Sequence, residues 1–384
     1  MTTFNSRINV MHLTDTLDAG GRERVAVDLV NVLPREQYVT HLCTTRRDGA
    51  LADLVEEDVG RLCLERSQRF DVGALRQLTA YIRKHQVRIL HAHETSVFLS
   101  AAASLFPPHP AVVWHDHFGG QEVGERSAWL YRLVTNRVSG VITVNQTLAE
   151  WSRQRLRVPA NRVWFIPNFV REAKDDESLP DLPGNKGQRI VCVANFRPQK
   201  DHLTLLNAMS IVIRQEPAAH LLLVGAESDK NYLNLVQQEI ARHQLNEHVS
   251  VLGQRLDISA ILRACDIGVL SSASEGLPLA LLEYGMARLS AVATRVGQCA
   301  EVLDEGRVGI LVDPAAPDQL AEMLLSLLRS PERRASLGEL FHRRVQEVYS
   351  PGPVIQKICR VYDAVIKSKQ GELPDAIHSG QQLF

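Results

Sequence analysis

The chain has 384 residues, 45% of them hydrophobic and 23% charged, with a formal net charge of −1. This length exceeds one ordinary core and suits two domains of roughly 100–200 residues each. The composition excludes a disordered chain, and basic residues scattered among acids exclude a nucleic-acid partner gathered by a global field. In chain order, "INVMHL" (8–13) reads as a buried strand followed by a helix from Gly21 to Leu33, and "THLCTT" (40–45) as a second strand. "VRILHAH" (87–93), "AVVWHDH" (111–117) and "GVITVN" (140–145) repeat the form. A charged, Pro/Gly-rich segment over 171–189 reads as a linker. The alternation then resumes with "IVCVAN" (190–195), "HLLLVG" (220–225), "HVSVLG" (248–253), "IGVLSS" (267–272) and "SAVAT" (290–294). Strands apolar on both faces, separated by helical patterns, imply parallel sheets of the βαβ type. Ligands of such sheets bind at the carboxyl ends of the strands. The helical pattern of 354–366 must pack against something, and 367–384 lacks periodicity and reads as a tail.

Six well-separated cysteines contain no C-x-x-C pair and suit a reducing compartment. No stretch offers about 18 consecutive apolar residues, and the N-terminus lacks a signal-peptide pattern. The chain therefore reads as cytoplasmic. "ERSAWLYRLVTNRVSG" (125–140) reads first as an amphipathic helix over the N-terminal core. Its second reading is a helix resting on the inner face of a membrane.

Four stretches carry chemistry. Gly20 and Gly21 follow the first strand, where paired glycines allow a close backbone approach and a helix start suits an anion. In "NFRPQKDH" (195–202), Arg197 and Lys200 flank a proline turn at a strand end, a place from which cations can neutralise a diphosphate. "WHDH" (114–117) puts His115 and His117 on one face and Asp116 on the other. An H-x-H metal pair is conceivable there, but no third ligand is evident and no metal is expected. "HAH" (91–93) reads as structural. "EGLPLALLE" (275–283) brackets an almost wholly apolar helix start with Glu275 and Glu283, and Pro278 suits the first helical position. Two acceptors about 7–8 Å apart along the axis can hold two parts of an elongated, hydroxyl-rich ligand. The N–H groups of Gly276 and Leu277 face an anion at the helix start. Pairing of the two glutamates with arginines such as Arg288 or Arg295 is the plainer reading. No D-x-D, P-loop or G-x-S-x-G occurs.

Taken together and in order, these stretches resemble family 4 of the retaining glycosyltransferases. The resemblance covers residues 8 to 366. It rests on Gly20-Gly21, "VWFIPNFV" (163–170), "VANFRPQKDHLTLLNA" (193–208), "LLLVGAES" (221–228), the E-x7-E stretch of 269–294 and "VGILVDP" (308–314). It implies the α/β GT-B architecture, two Rossmann-like doubly wound domains facing a central cleft. These would be an N-terminal acceptor domain over 1–170, the linker 171–189, a donor-binding domain over 190–350, a final helix over 351–366 packing back on the first domain, and the tail. The resemblance also implies roles. Glu275 contacts hydroxyls of the donor sugar and Glu283 those of the ribose, while Lys200, with Arg197, binds the diphosphate. Gly225, Gly276 and Leu277 line the donor site, and Gly20 and Gly21 approach the diphosphate from the other domain. His117 lies near the reacting sugar, with His115 as its reserve, and the catalytic set is His117, Lys200 and Glu275. The implied reaction moves a sugar from a nucleotide-sugar donor to a saccharide or lipid-linked acceptor with retention, without metal or cofactor, in polysaccharide or glycolipid assembly.

This sequence departs from the family pattern at three places. The arginine five positions before the lysine is Asn195, the glycine after the E-x7-E helix is Arg288, and the later Gly-Gly is Gly297-Gln298. Two other readings compete: a nucleotide-sugar epimerase of similar fold, and an inactive sugar-nucleotide binding protein.

Overall fold

The computed structural model describes residues 7–18, 20–117, 127–172 and 179–371. Residues 173–178 of the expected linker and 372–384 of the expected tail lie outside them. The described chain divides into two compact units. One holds 7–117, 127–167 and the chain from Val354 on, and the other holds Asn168–Pro353.

The first unit is a seven-stranded sheet in the order β3-β2-β1-β4-β5-β6-β7. Its strands are β1 (Ile8–Thr16), β2 (Tyr38–Arg47), β3 (Gly60–Cys63), β4 (Ile89–His93), β5 (Ala111–Asp116), β6 (Gly140–Thr143) and β7 (Val163–Phe165). All pairings are parallel. Every residue of β4, β5 and β6 is buried, as expected for central strands covered on both faces. The register sets His12 of β1 beside His91 of β4, and His93 of β4 beside His115 of β5. The helices are α1 (Gly21–Val32), α2 (Val72–Lys84), α3 (Val97–Ala103), α4 (Ala128–Thr135) and α5 (Gln146–Gln154). The sequence pattern signals neither β3 nor β7. Both are edge strands of three or four residues: β3 is only half-buried and carries no apolar run, and the apolar β7 is too short to stand out.

The second unit is a six-stranded sheet in the order β10-β9-β8-β11-β12-β13. Its strands are β8 (Arg189–Val193), β9 (His220–Val224), β10 (Val249–Gly253), β11 (Ile267–Leu270), β12 (Ser290–Thr294) and β13 (Ile310–Val312). This is the doubly wound order 3-2-1-4-5-6, which reverses between β8 and β11. The helices are α6 (His202–Gln215), α7 (Lys230–Arg242), α8 (Ile258–Arg263), α9 (Leu279–Met286), α10 (Cys299–Val302), α11 (Pro317–Leu328) and α12 (Pro331–Tyr349). Two apolar clusters cover the sheet. The segment before β8 is tied to this unit. Leu182 is buried in its core, and Asp266 Oδ2 accepts from the Gly187 and Arg189 amides, both at 2.9 Å. The six cysteines are unpaired.

A last helix, α13 (Pro351–Gln370), brings the chain back to the first unit. Val354, Ile358, Val361, Tyr362 and Val365 form its buried face at helical spacing.

Candidate active site

The second unit concentrates its polar chemistry where its strand order reverses. Past Gly268 and Val191, β8 and β11 no longer pair. The hydroxyl of Tyr284 fills the gap, accepting from the Val193 amide at 2.7 Å and donating to the Val269 carbonyl at 3.2 Å. Gly268 leaves room for that ring: a Cβ there would lie 2.4 Å from it.

Beyond β8 the chain makes a short 3-10 turn, Pro198–Lys200, before α6. Asp201 joins the two. Its backbone is left-handed, at φ 48° and ψ 50°, and its carboxylate caps α6 by accepting from the Thr204 amide at 3.2 Å and hydroxyl at 2.7 Å. The loop after β11 is sewn to this turn. Ser271 Oγ donates to the carbonyls of Lys200 (3.2 Å) and Asp201 (3.0 Å), and the Ala273 amide donates to the Gln199 carbonyl (2.9 Å).

These bonds bring Lys200 and Glu275 together across 75 positions of sequence. Lys200 Nζ donates to Glu275 Oε1 at 2.6 Å, and Ser272 Oγ donates to the same oxygen at 2.6 Å. The Glu275 side chain is 7% exposed and that of Lys200 23%, so the pair is shielded yet reachable. The expected arginine partners are engaged elsewhere, Arg288 with Glu339 and Arg295 with Glu305. Behind Glu275, Gly297 adopts φ +52°, and a Cβ there would fall 2.1 Å from the Glu275 carbonyl. The Gln298 amide donates to the Gly276 carbonyl at 3.0 Å. Gly297 is therefore required by both its backbone conformation and the close approach.

The other expected residues lie as follows. Pro278 precedes α9 by one residue and caps it rather than opening it. Leu277 is buried, Gly276 is half-buried, and Glu283 is half-buried on the second turn of α9. Arg197 is exposed, forms the start of the 3-10 turn and has no ion pair among the described residues. Asn195 ties two loops together: its Oδ1 accepts from the Ala226 amide at 2.9 Å, joining the loop after β8 to that after β9. In the same contact Gly225 packs so tightly that a Cβ would lie 2.1 Å from the Ala194 carbonyl. An ammonium, a carboxylate and an exposed guanidinium thus share one sheet edge. That set can receive a ligand bearing both phosphate and hydroxyl groups.

In the first unit, Gly20 caps α1 with extended backbone, so space and not φ demands glycine: a Cβ would meet Glu23 Oε2 at 2.3 Å. Arg22 bridges two buried carboxylates, donating to Glu23 at 2.8 Å and to Glu94. Burial pushes the Glu94 carboxyl up to about 7, against the pull of Arg22, and Glu94 sits at φ 50°. His117 is half-buried and His115 fully buried behind it, their rings 4.0 Å apart.

Sequence spacing revealed no third imidazole beside His115 and His117, yet the sheet supplies three. Ring nitrogens of His12, His91 and His93, and of His93, His115 and His117, lie within 4.8 Å of one another. The short contacts among them run pairwise: His93–His117 at 2.9 Å, His91–His115 at 3.0 Å and His12–His93 at 3.1 Å. The missed signal was the recurrence of histidine at matching heights on three neighbouring parallel strands. Glu23, Glu94, Ser271 and Ser272 left no such signal.

Two family models match consecutive parts of the chain. One described as Glycosyltransferase Family 4 matches residues 19–174, and one described as Glycosyl transferases group 1 matches 175–340. The UDP-Gal:alpha-D-GlcNAc-diphosphoundecaprenol alpha-1,3-galactosyltransferase of Escherichia coli is 26% identical over 318 residues, 77% of this chain and 81% of that protein. The N-acetyl-alpha-D-glucosaminyl L-malate synthase of Bacillus anthracis is 25% identical over 243 residues, 61% of this chain and 62% of that one. Among solved structures, Anabaena HepE in complex with UDP and glucose matches with a TM-score of 0.77 at 18% identity, over 93% of this chain and 100% of that one. Two doubly wound units, a shared fold over nearly the whole chain and a glycosyltransferase model on each half make this chain a glycosyltransferase of the GT-B fold.

Proposed function

We propose that the enzyme transfers a sugar from a nucleotide-sugar donor, a UDP-sugar by preference, to a saccharide or lipid-linked acceptor with retention at the anomeric carbon. The Lys200–Glu275 pair at the point where the strand order reverses carries this reading. A diphosphate entering there takes Lys200 and Arg197 as its cations, with the N–H groups of Gly276 and Leu277 at the start of α9. Glu275, held by Ser272, turns to hydroxyls of the donor sugar. Glu283 receives those of the ribose, and Gly225 keeps the neighbouring loop low. Negative charge growing on the departing diphosphate is met by groups already fixed in place, the condition under which such stabilisation is most effective. On the first unit, the Gly20-Gly21 loop and His117 complete the set, His117 beside the reacting sugar. The acceptor attacks from the leaving-group face.

Support for uridine comes from the relatives: the E. coli enzyme is named for UDP-Gal and HepE holds UDP. Their acceptors differ, one a lipid diphosphate and another malate by name, so no single acceptor carries over from them. Trp129 and Leu133 of α4 are 62% and 67% exposed, and they supply an apolar face for a membrane that holds a lipid-linked acceptor.

The test is a thermal-shift and transfer panel with UDP-, GDP- and ADP-sugars, because a bound donor raises apparent stability. We expect stabilisation by a UDP-sugar. We also expect Lys200→Ala and Glu275→Ala to lower transfer by about 10²–10³-fold with the fold retained. Unchanged turnover by a folded Lys200→Ala variant would overturn the assignment. Epimerised donor without an acceptor would replace it.

A further inference from the structure

The first sheet has its own point of reversal, between β1 and β4. Pairing of these two strands ends at Leu13 and Ala92, and the crevice beyond such an end is where doubly wound sheets take ligands. Asp15 stands there on β1. The register against β2 slips at this height, Thr14 pairing with Thr44 but Thr16 with Arg47, so Asp15 faces two residues instead of one. Such irregularities re-aim side chains. The Asp15 carboxylate gathers groups from the ends of three other strands. Its Oδ1 accepts from the Thr45 hydroxyl at 2.5 Å and its Oδ2 from the Thr95 hydroxyl at 2.7 Å, and Arg66 Nη2 lies 3.6 Å from Oδ1. Thr95 sits in the 3-10 turn after β4. Arg66 sits in the loop after β3, where its amide donates to the Thr45 carbonyl at 2.9 Å.

Arg66 is short of partners. Its side chain is 12% exposed and its Nε is buried without a hydrogen bond. Among the described residues, the 3.6 Å pair with Asp15 is the only polar contact of that side chain. A guanidinium carries five N–H groups and no acceptor. Buried polar groups normally find partners, so one this enclosed points to acceptors supplied by a ligand.

Charge narrows the class of ligand. Beside Thr95, Glu94 pairs with Arg22, which also pairs with Glu23. Three carboxylates thus face two guanidiniums. Burial, reinforced by Asp116 and Glu23, holds the Glu94 carboxyl up at about 7 against the pull of Arg22, so negative charge is already in excess here. A phosphate would add to that excess. A neutral polyol would not: its oxygens accept from Arg66, and its hydroxyl protons go to Asp15, which has spent one lone pair of each oxygen on a threonine and keeps the others. We infer that the crevice between β1 and β4 binds the acceptor, and that Arg66 and Asp15 read neighbouring hydroxyls of a neutral sugar unit, Arg66 as donor and Asp15 as acceptor. This deepens the proposed function and rests on its saccharide-bearing acceptor, whether or not a lipid carries that sugar.

Arginine Nε–H spectra of ¹⁵N-labelled protein, with the Arg66 signal assigned through its own side chain and backbone, test this with and without UDP. The probes are the methyl glycosides of glucose, galactose, mannose and N-acetylglucosamine, and sodium phosphate. We expect at least one glycoside to move the Arg66 signal saturably and phosphate to leave it in place. Asp15→Asn should weaken that glycoside about tenfold, the worth of a hydrogen bond to a charged group. It should also let phosphate move the signal, a gain that a merely structural Asp15 would not give. No saturable shift with any glycoside overturns the inference. So does a phosphate response in the wild type, which would make this an anion site; neither result needs a variant to fold. A UDP-sugar that stabilises the protein while no glycoside responds leaves the donor reading standing and removes this one. A glycoside response in a protein that no UDP-sugar stabilises does the reverse.

Discussion

At the scale of single residues, Tyr284 shows how a side chain holds a site it does not enter. Its ring is buried, and its hydroxyl spans the opening between β8 and β11 at which Lys200 and Glu275 emerge. Burial pushes its phenol well above the usual tyrosine range, so it stays a neutral donor and acceptor. Tyr284→Phe keeps the ring but leaves the Val193 amide and the Val269 carbonyl without this partner. A buried group left unmade costs about 1–3 kcal/mol. We expect a loss of that size in stability, with weaker donor binding because the turn carrying Lys200 starts three residues after Asn195, close to the opened end of β8. Urea unfolding and donor titration of Tyr284→Phe check both. An unchanged unfolding midpoint would show that water replaces the hydroxyl without loss.

At the scale of elements, α4 is the clearest case of a helix with two faces. Tyr131 turns inward, stacked on Trp114 at 5.2 Å and edge-on to Trp151 at 5.9 Å, while Trp129 and Leu133 face outward. Spacing alone made α4 amphipathic but could not say that a tryptophan occupies its outer face. If that face meets lipid, Trp129→Ser with Leu133→Ser should reduce sedimentation with anionic vesicles several-fold and leave thermal stability nearly unchanged. Equal sedimentation by both proteins rejects membrane contact through α4. The same contrast explains what was legible elsewhere. Buried central strands and the α9 start announce themselves by composition, because both faces or a whole helix end must be apolar. Partner choice does not: Lys200 and Glu275 are 75 residues apart, and Tyr362 reaches His12 across 350. Asn195 shows the opposite limit. Set against the family pattern it is a missing arginine, yet in the fold its amide group is a loop tie to Ala226.

At the scale of the whole molecule, the buried histidines set how stability responds to acid, and that response belongs to one unit. His12, His91 and His115 are held well below the usual range by burial, and His93 at about 3. Unfolded, each returns to about 6.5. Above pH 6.5 the imidazoles are neutral in both states, and their contribution is intact. As pH falls below 6.5 the unfolded chain takes up protons that the folded one refuses. Stability then drops by about 1.4 kcal/mol per pH unit for each imidazole. Glu94 opposes this: its folded value of about 7 against an ordinary 4.5 means the folded state binds a proton first, so its contribution rises as pH falls through that window. His41 of β2, lowered by burial to about 4, joins the four histidines, and one carboxyl against five imidazoles leaves a net loss between pH 6.5 and 4.5. All four tryptophans, at 114, 129, 151 and 164, belong to the same unit as these groups. Tryptophan fluorescence in urea therefore follows that unit alone, which avoids treating two domains as one transition. The midpoint should hold steady from pH 8 to 7 and fall steeply from 6.5 to 5. A midpoint that stays level or climbs over the acid range would mean that the imidazoles accept protons inside the fold.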